Sequence, residues 1–512
     1  MQKKQIILII VSLIVITLSV TYAFFKIQII GDAKNITVNS KDLKIVFTGG
    51  DSITGSNLEE FDYTKTFTIE NKSDNTYKYN IVVKDLVNTF KTDGFLLYKI
   101  TSDNKGYSMN DFDDVPKSET EFDTVLAYNV SIDAGVKQTY TIEFKYTNST
   151  DIDQSADMEA ILSGKVFIDE GTEEPVTLLS QILKDNPTRS TRSNDNNGTN
   201  DFATPLTATT TGTLFTSTES ITGITGSPKE VYYYAGNTTK NWVKFGGFYW
   251  RIIRTNHDGS IRLLYVGTST DTSDGNIGKS NFNPKNNSPK YSGYMYGEDT
   301  SLDTIRNNTT DSTIKTFVDT WYKNNLTNYT KYLSTSAVYC NDRSEGTGQV
   351  YDYASNPSLR FNFASYYRMD SNTDGAVANP SYNCSDIRDA FSVDNTSAKL
   401  EYPIALMTVD EMAFAGGVTY QAMSTPYAWF VSNSVGTQVS GYWWSLSPFA
   451  WVGGSNVGIW GWTTGYRYMS APTPNYSYNV RPVISLKSCV QWTSGDGTVS
   501  NPYIILETES GC

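Results

Sequence analysis

Between residues 63 and 168 one pattern keeps returning: an apolar side chain at alternate positions. It joins Tyr63, Phe67 and Ile69 with Tyr77, Tyr79, Ile81 and Val83. It continues through Tyr140, Ile142, Phe144 and Tyr146, and through Met158, Ala160, Leu162, Val166 and Ile168. Successive side chains of an extended strand point to opposite faces, so a period of two gives each strand one apolar and one polar face. A chain written this way buries its apolar faces by packing sheet against sheet. Asn71-Lys72-Ser73-Asp74-Asn75 and Ala134-Gly135 supply turns. Residues 26–170 are therefore expected to form an all-β sandwich of antiparallel sheets, immunoglobulin-like or jelly-roll-like.

The 512 residues exceed one ordinary core, so the chain is expected to be multidomain. A formal charge of −13, with no basic stripe, argues against a nucleic-acid partner. Lys3 and Lys4 precede Ile6–Phe25, an uncharged and mostly apolar run. Its length suits a spanning helix of about 20 residues better than a signal-peptide core of about 7–15. Residues 1–25 are read as an N-terminal membrane helix, with the two lysines cytoplasmic and the rest of the chain outside. Cleavage after Thr21-Tyr22-Ala23 would instead give a secreted protein. Four cysteines in an exported chain, Cys340, Cys384, Cys489 and Cys512, suggest two disulfides. Three connectivities are open, and proximity favours Cys340–Cys384 with Cys489–Cys512.

Residues 171–228 are rich in Thr, Ser and Asn and read as a connector holding a short helix over Thr177–Leu183. Residues 229–512 form the second expected domain. Trp242–Phe245, Phe248–Arg254 and Ile261–Tyr265 read as strands, the last two joined at His257-Asp258-Gly259. Ser312 or Asp311 caps a helix with the apolar stripe Ile314, Phe317, Val318 and Trp321. Thr408-Val409-Asp410-Glu411 is a capping box after the strand-like Ile404–Met407.

Residues 442–480 carry five of the ten tryptophans and five tyrosines, with Arg467 as the one charge. Large rigid aromatics mixed with Ser, Gly and Asn are the composition of binding surfaces. Trp460-Gly461-Trp462 and Tyr466-Arg467-Tyr468 flank Thr463-Thr464-Gly465, which predicts a hairpin pairing Trp462 with Tyr466 and Trp460 with Tyr468. Its aromatic face either meets a ligand or packs on the core. Pro472 and Pro474 keep residues 470–479 out of a central strand and make them an exposed loop. Arg481 is expected to pair with a carboxylate and position that loop.

Other constellations are weaker. Asp370-Ser371-Asn372-Thr373-Asp374-Gly375 matches the first half of a calcium loop, but Ser381 stands where a Glu is needed, so it reads as a solvated turn, as does Asp271–Asn276. His257 is the sole histidine and sits in a turn, which disfavours Ser-His or Cys-His catalysis. No cofactor or metal is expected, and the chain is not read as an enzyme.

The motifs NWVKFGGFYWRIIRTNHDGSIRLLY, YPIALMTVDEMAFAGG, YWWSLSP, VRPVISLKS and GDGTVSNPYII, in this order over residues 229–506, resemble exported Gram-positive surface proteins. Those proteins have a C-terminal domain that is C-type-lectin-like, or formylglycine-enzyme-like. The resemblance implies an α+β C-type-lectin-like fold for residues 229–512. The copper-binding cysteine pair of the formylglycine enzymes has no match here, so their activity is not carried over. The layout of residues 1–170 resembles the camelysin-like and biofilm-fibre proteins. Some proteins of the lectin-like kind are targets of diversity-generating retroelements, and residues 449–479, framed by SLSP and VRPVISL, resemble their variable region. Adenine-mutated codons do not encode Trp, so Trp451, Trp460 and Trp462 would then be fixed scaffold or have another origin.

The function expected from all this is cell-surface adhesion or ligand binding. The expected contacts are Trp451, Ser455, Asn456, Trp460, Trp462, Tyr466, Tyr468, Ser470, Thr473, Asn475, Tyr476 and Tyr478. The partner would be a protein or carbohydrate on another cell, phage or host surface. The alternatives are a pilin-like or matrix-fibre subunit and a glycan hydrolase.

Overall fold

The computed structural model of the chain describes all residues except 1–24, 31–35, 41–42, 59, 150–151, 193–201, 203–213, 271–274, 370–378, 420–427, 431–440, 455, 465–467, 509–510 and 512. It is mostly β-sheet and divides into two compact units, Met1–Glu174 and Pro175–Cys512. Among the described residues no helix is long and apolar enough to cross a membrane. The expected anchor falls in residues 1–24, outside the described residues, and Phe25 already begins a strand.

The first unit has a five-stranded and a six-stranded sheet around one core. Ile161–Glu170 and Tyr77–Asn88 lie at the heart of the first sheet, and Phe61–Asn71, Lys137–Tyr146 and Leu96–Ser102 at the heart of the second. The alternation predicts these strands: Lys137–Tyr146 and Ile161–Glu170 bury every second residue. Phe67 stacks on Tyr140 at 5.0 Å. Tyr79 of the first sheet meets Tyr140 of the second hydroxyl to hydroxyl at 2.5 Å, and donates to Gln138 Oε1 at 2.6 Å. Both phenols are thus buried with partners, which removes most of the cost of burying them. Two expectations need correction. Phe25–Ile30 pairs parallel with Ile161–Glu170, so the first sheet is mixed. Met158 is 48 % exposed and precedes the strand, because the chain turns at Glu159 with a positive φ.

The second unit begins well before residue 229. The helix Leu178–Asp185, capped by Thr177, buries Leu178 and Ile182, and Leu178 N donates to Val490 O. The strand Leu214–Glu219 pairs with Lys229–Tyr234 over its whole length. Residues 175–192 and 214–228 therefore belong to the second compact unit, while residues 193–201 and 203–213 of the expected connector lie outside the described residues. Low apolar content misled: four side chains, Leu178, Ile182, Leu214 and Phe215, are enough to anchor these segments.

Ten strands form the larger sheet of this unit. Trp242–Phe245 and Phe248–Thr255 join through Gly246 and Gly247, both at positive φ, the two-residue turn that matches strand twist. Phe248–Thr255 pairs with Ile261–Gly267 across the expected turn, and Pro482–Leu486 lies between Ile261–Gly267 and Ile404–Leu406. Thr313–Asn325 is the predicted helix, capped by Ser312, with Ile314 and Val318 fully buried. Val409–Phe414 carries the predicted capping box. A second, six-stranded sheet contains Tyr442–Val452, Asn456–Thr463, Tyr468–Ser470, Ser477–Asn479 and Lys279–Asn281. Cys340 and Cys384 are bonded to each other. Cys489 is also disulfide-bonded, and its expected partner Cys512 lies outside the described residues.

Candidate functional site

The tryptophans of the aromatic window are core. Trp443, Trp444, Trp451, Trp460 and Trp462 are each at most 1 % exposed. Trp451, Trp460 and Trp462 thus cannot meet a ligand on the surface. The predicted hairpin exists with another register: Thr463 pairs with Tyr468, Trp462 with Met469 and Gly461 with Ser470. An odd shift moves every side chain to the opposite face. Tyr468 therefore shares no face with Trp460, and the four-aromatic platform is not built. Asn456 is half-buried and accepts from Asn286 Nδ2; Tyr468 and Ser470 are also half-buried. Ser455 and Tyr466 lie outside the described residues.

An aromatic surface does form nearby, from residues that face one another across a parallel pair of strands. Trp443 of Tyr442–Val452 aligns with Asn479 of Ser477–Asn479. Each strand then sets the preceding tyrosine, Tyr442 and Tyr478, on the other face from that pair. Their rings stack with centroids 4.8 Å apart and planes 25° from parallel. Tyr476, two residues before Tyr478 and so on the same side, extends the stack at 5.8 Å and 20°. Buried Trp444 packs against Tyr478 at 5.1 Å and is fixed by an Nε1 hydrogen bond to Ser280 O of 2.9 Å. The result is a ladder from core to solvent, ending at Tyr476, which is 56 % exposed.

The loop before the ladder is pinned. Pro472 O accepts from Ile459 N at 3.0 Å and Pro474 O from Asn283 N at 3.1 Å. Asn281 Nδ2 donates to Asn475 O, and Thr473 Oγ1 donates to Asn475 Oδ1 at 2.8 Å. Pro474 is buried, whereas Asn475, Tyr476 and Ser477 are exposed. Burial, then Tyr442 and Tyr476, raise the Tyr478 phenol above its usual range. A flat ring face held rigid beside amide and hydroxyl groups can bind a ring with one apolar face and polar edges. Tyr442 and Trp444 were not among the expected contacts. Their aromatic character was visible in the sequence, but the strand pairing that stacks them was not.

A buried cluster of charged residues lies elsewhere in this unit. Glu411, the capping-box acid, accepts from Arg254 Nε at 2.9 Å and Arg262 Nη1 at 2.5 Å, while its other oxygen caps Thr408 N at 2.9 Å. Arg254 Nη2 also donates to Glu219 at 2.7 Å, and His257 Nδ1 lies 3.3 Å from the second Glu219 oxygen. Burial alone would raise the Glu219 carboxyl, but Arg254 and His257 outweigh it and hold it at about 2. The cavity bordered by this network, Tyr382 and the Cys340–Cys384 bridge holds only about 20 Å³, room for about one water and for no substrate. The network is a fastening for the core. His257 is buried in it at its expected turn. Asp370–Gly375 and Asp271–Asp274 lie outside the described residues. Arg481 is fully buried and, against expectation, meets no carboxylate among the described residues: its Nη atoms donate to Phe430 O and Tyr265 O, both at 3.2 Å.

No protein-family model matches this chain, and no curated protein and no solved structure does so either.

Proposed function

We propose that this chain is an exported surface-recognition protein whose second unit binds a neutral saccharide ring on another cell or host surface. The observation that carries the reading is the ladder Tyr442–Tyr478–Tyr476, which ends in an exposed ring on a pinned loop. Aromatic side chains give contact area at little entropic cost, and the fixed loop lowers the ordering cost further. Asn475, Ser477 and Thr473 supply hydrogen bonds at the rim, and the absence of charge on the ladder suits an uncharged ligand. Any diversification would fall on the exposed positions of residues 470–479, since the buried tryptophans of the window are held by the core. A retained N-terminal helix would keep the protein at the cell surface, and a lectin-like arrangement of the second unit fits this role.

The test is a glycan array probed with the exported chain and with Tyr476→Ala. Tyr476 is exposed, so its loss should leave the fold intact and weaken binding by roughly 1.4–2 kcal/mol, about tenfold or more. Equal binding by both proteins would refute the assignment of the site.

A further inference from the structure

Asp311 and Asp319 stand one helical turn to either side of Lys315, at the start of the helix Thr313–Asn325, and share its ammonium group. Lys315 Nζ lies 3.0 Å from Asp311 Oδ2 and 2.7 Å from Asp319 Oδ2. Lys315 and Asp319 are 2 % and 8 % exposed, whereas Asp311 reaches solvent. One cation therefore serves two carboxylates, and the buried one bears the cost of desolvation. The neighbours on the packed segments add acid: Glu401, with the phenols of Tyr294 and Tyr402, acts on the same group. Burial first, then Asp311 and Glu401, push the Asp319 carboxyl up to about 6 against the pull of Lys315. Asp319 Oδ1 is buried and accepts no hydrogen bond among the described residues, so it is the oxygen free to take a proton.

The same helix holds the segment that pins the ligand loop. Ser312 caps it, Ile314 N donates to Phe282 O at 3.1 Å, and Thr313 N donates to Asn283 Oδ1 at 3.4 Å. Asn283 N donates in turn to Pro474 O at 3.1 Å, and Asn281 Nδ2 to Asn475 O. One turn along the helix, the Phe317 ring closes over Gly278, where an added Cβ would come within 3.2 Å of it. Residues 278–283 thus lie between the helix and the loop that ends at Tyr476. A buried carboxylate that resists ionisation loosens its helix when it ionises. We propose that Asp311, Lys315 and Asp319 form a proton-operated latch: a proton on Asp319 tightens the helix Thr313–Asn325 and, through residues 281–283, the loop presenting Tyr476, so that the site binds more tightly in mildly acid surroundings. The effect on binding rests on the saccharide reading above; the effect on the helix does not.

A raised folded value means that the stabilisation is complete below about pH 3.8, the value when free, and is lost as the pH rises through about 6. All ten tryptophans lie at Trp242 or beyond, so their fluorescence reports the second unit. The full chain and Asp319→Asn are unfolded in urea between pH 4.5 and 7. Asn keeps the shape and an acceptor for Lys315 but does not titrate. The ratio of its folding constant to that of wild type should therefore rise about twentyfold across this range. Asp311→Asn leaves Lys315 to Asp319 alone and should move the fall in stability to lower pH. Protection of the Ile314 and Asn283 amides against hydrogen exchange, taken as the same ratio, should rise over the same range. The affinity of wild type for the array-selected glycan should fall from pH 4.5 to pH 7, and that of Asp319→Asn should not. A constant ratio of folding constants would overturn the latch. So would a protection ratio that changes at Ile314 and not at Asn283, or affinities that follow one pH course in both proteins. A chain that binds no glycan at either pH refutes the saccharide reading instead, and unfolding and exchange still decide the latch.

Discussion

Tyr442 and Tyr478 stack with ring centroids 4.8 Å apart because their strands run parallel and put Trp443 opposite Asn479. Tyr442 thereby becomes the inner support for the rings that reach solvent. Its replacement by Ala removes one aromatic pair, which should cost about 1 kcal/mol of stability. It should also weaken ligand binding, because Tyr478 and Tyr476 lose the surface that holds them in place. Urea unfolding and ligand titration on the same protein would check both. A variant that loses neither would show the stack to be incidental.

The pH dependence of stability should carry the signature of Glu219. Its carboxyl lies at about 2 in the fold against 4.5 when free. A lowered folded value means that the stabilisation is complete above about pH 4.5 and is lost as the pH falls towards 2. The contribution is about 3 kcal/mol. Glu219→Gln should lower stability near neutrality by that order and flatten the acid limb, as read by tryptophan-monitored urea unfolding at a series of pH values.

The position of Glu219 also sets the start of the second unit. A fragment beginning at residue 229 lacks Glu219 and the helix Leu178–Asp185, and leaves Arg254 with one of its two carboxylates. It should be protease-sensitive and poorly cooperative, whereas a fragment from residue 175 should fold. Limited proteolysis and circular dichroism of the two fragments would distinguish them.

The bond between Cys340 and Cys384 closes a loop of sequence separation 44. Chain entropy assigns such a loop about 4 kcal/mol, with engineered cases often lower. Replacing both residues by Ser should lower urea stability by about 3–4 kcal/mol in the second unit, with the first unit unaffected.

What could be read from the sequence was local. Thr408 and Glu411 stand three apart, and the capping box formed. Phe67, Ile69, Tyr140 and Ile142 alternate, and the strands formed. What stayed hidden depends on pairing between distant segments. Nothing near Arg254 indicates that its acids lie at Glu219 and Glu411. The hairpin after Trp460 failed on register alone: a tight Gly465 turn favoured Trp462 opposite Tyr466, but the chain pairs Thr463 with Tyr468. Tryptophans that composition suggested for a binding surface turned out to fill the core, because burying so large an apolar side chain outweighs displaying it.

The central claim is that the exposed face of Tyr476 carries the ligand. Isothermal titration of the array-selected glycan into wild type, Tyr476→Ala and Tyr476→Trp tests it most directly. The account predicts that Trp binds at least as tightly as Tyr and that Ala binds tenfold or more weakly, with equal melting temperatures for all three. Three equal affinities would contradict it.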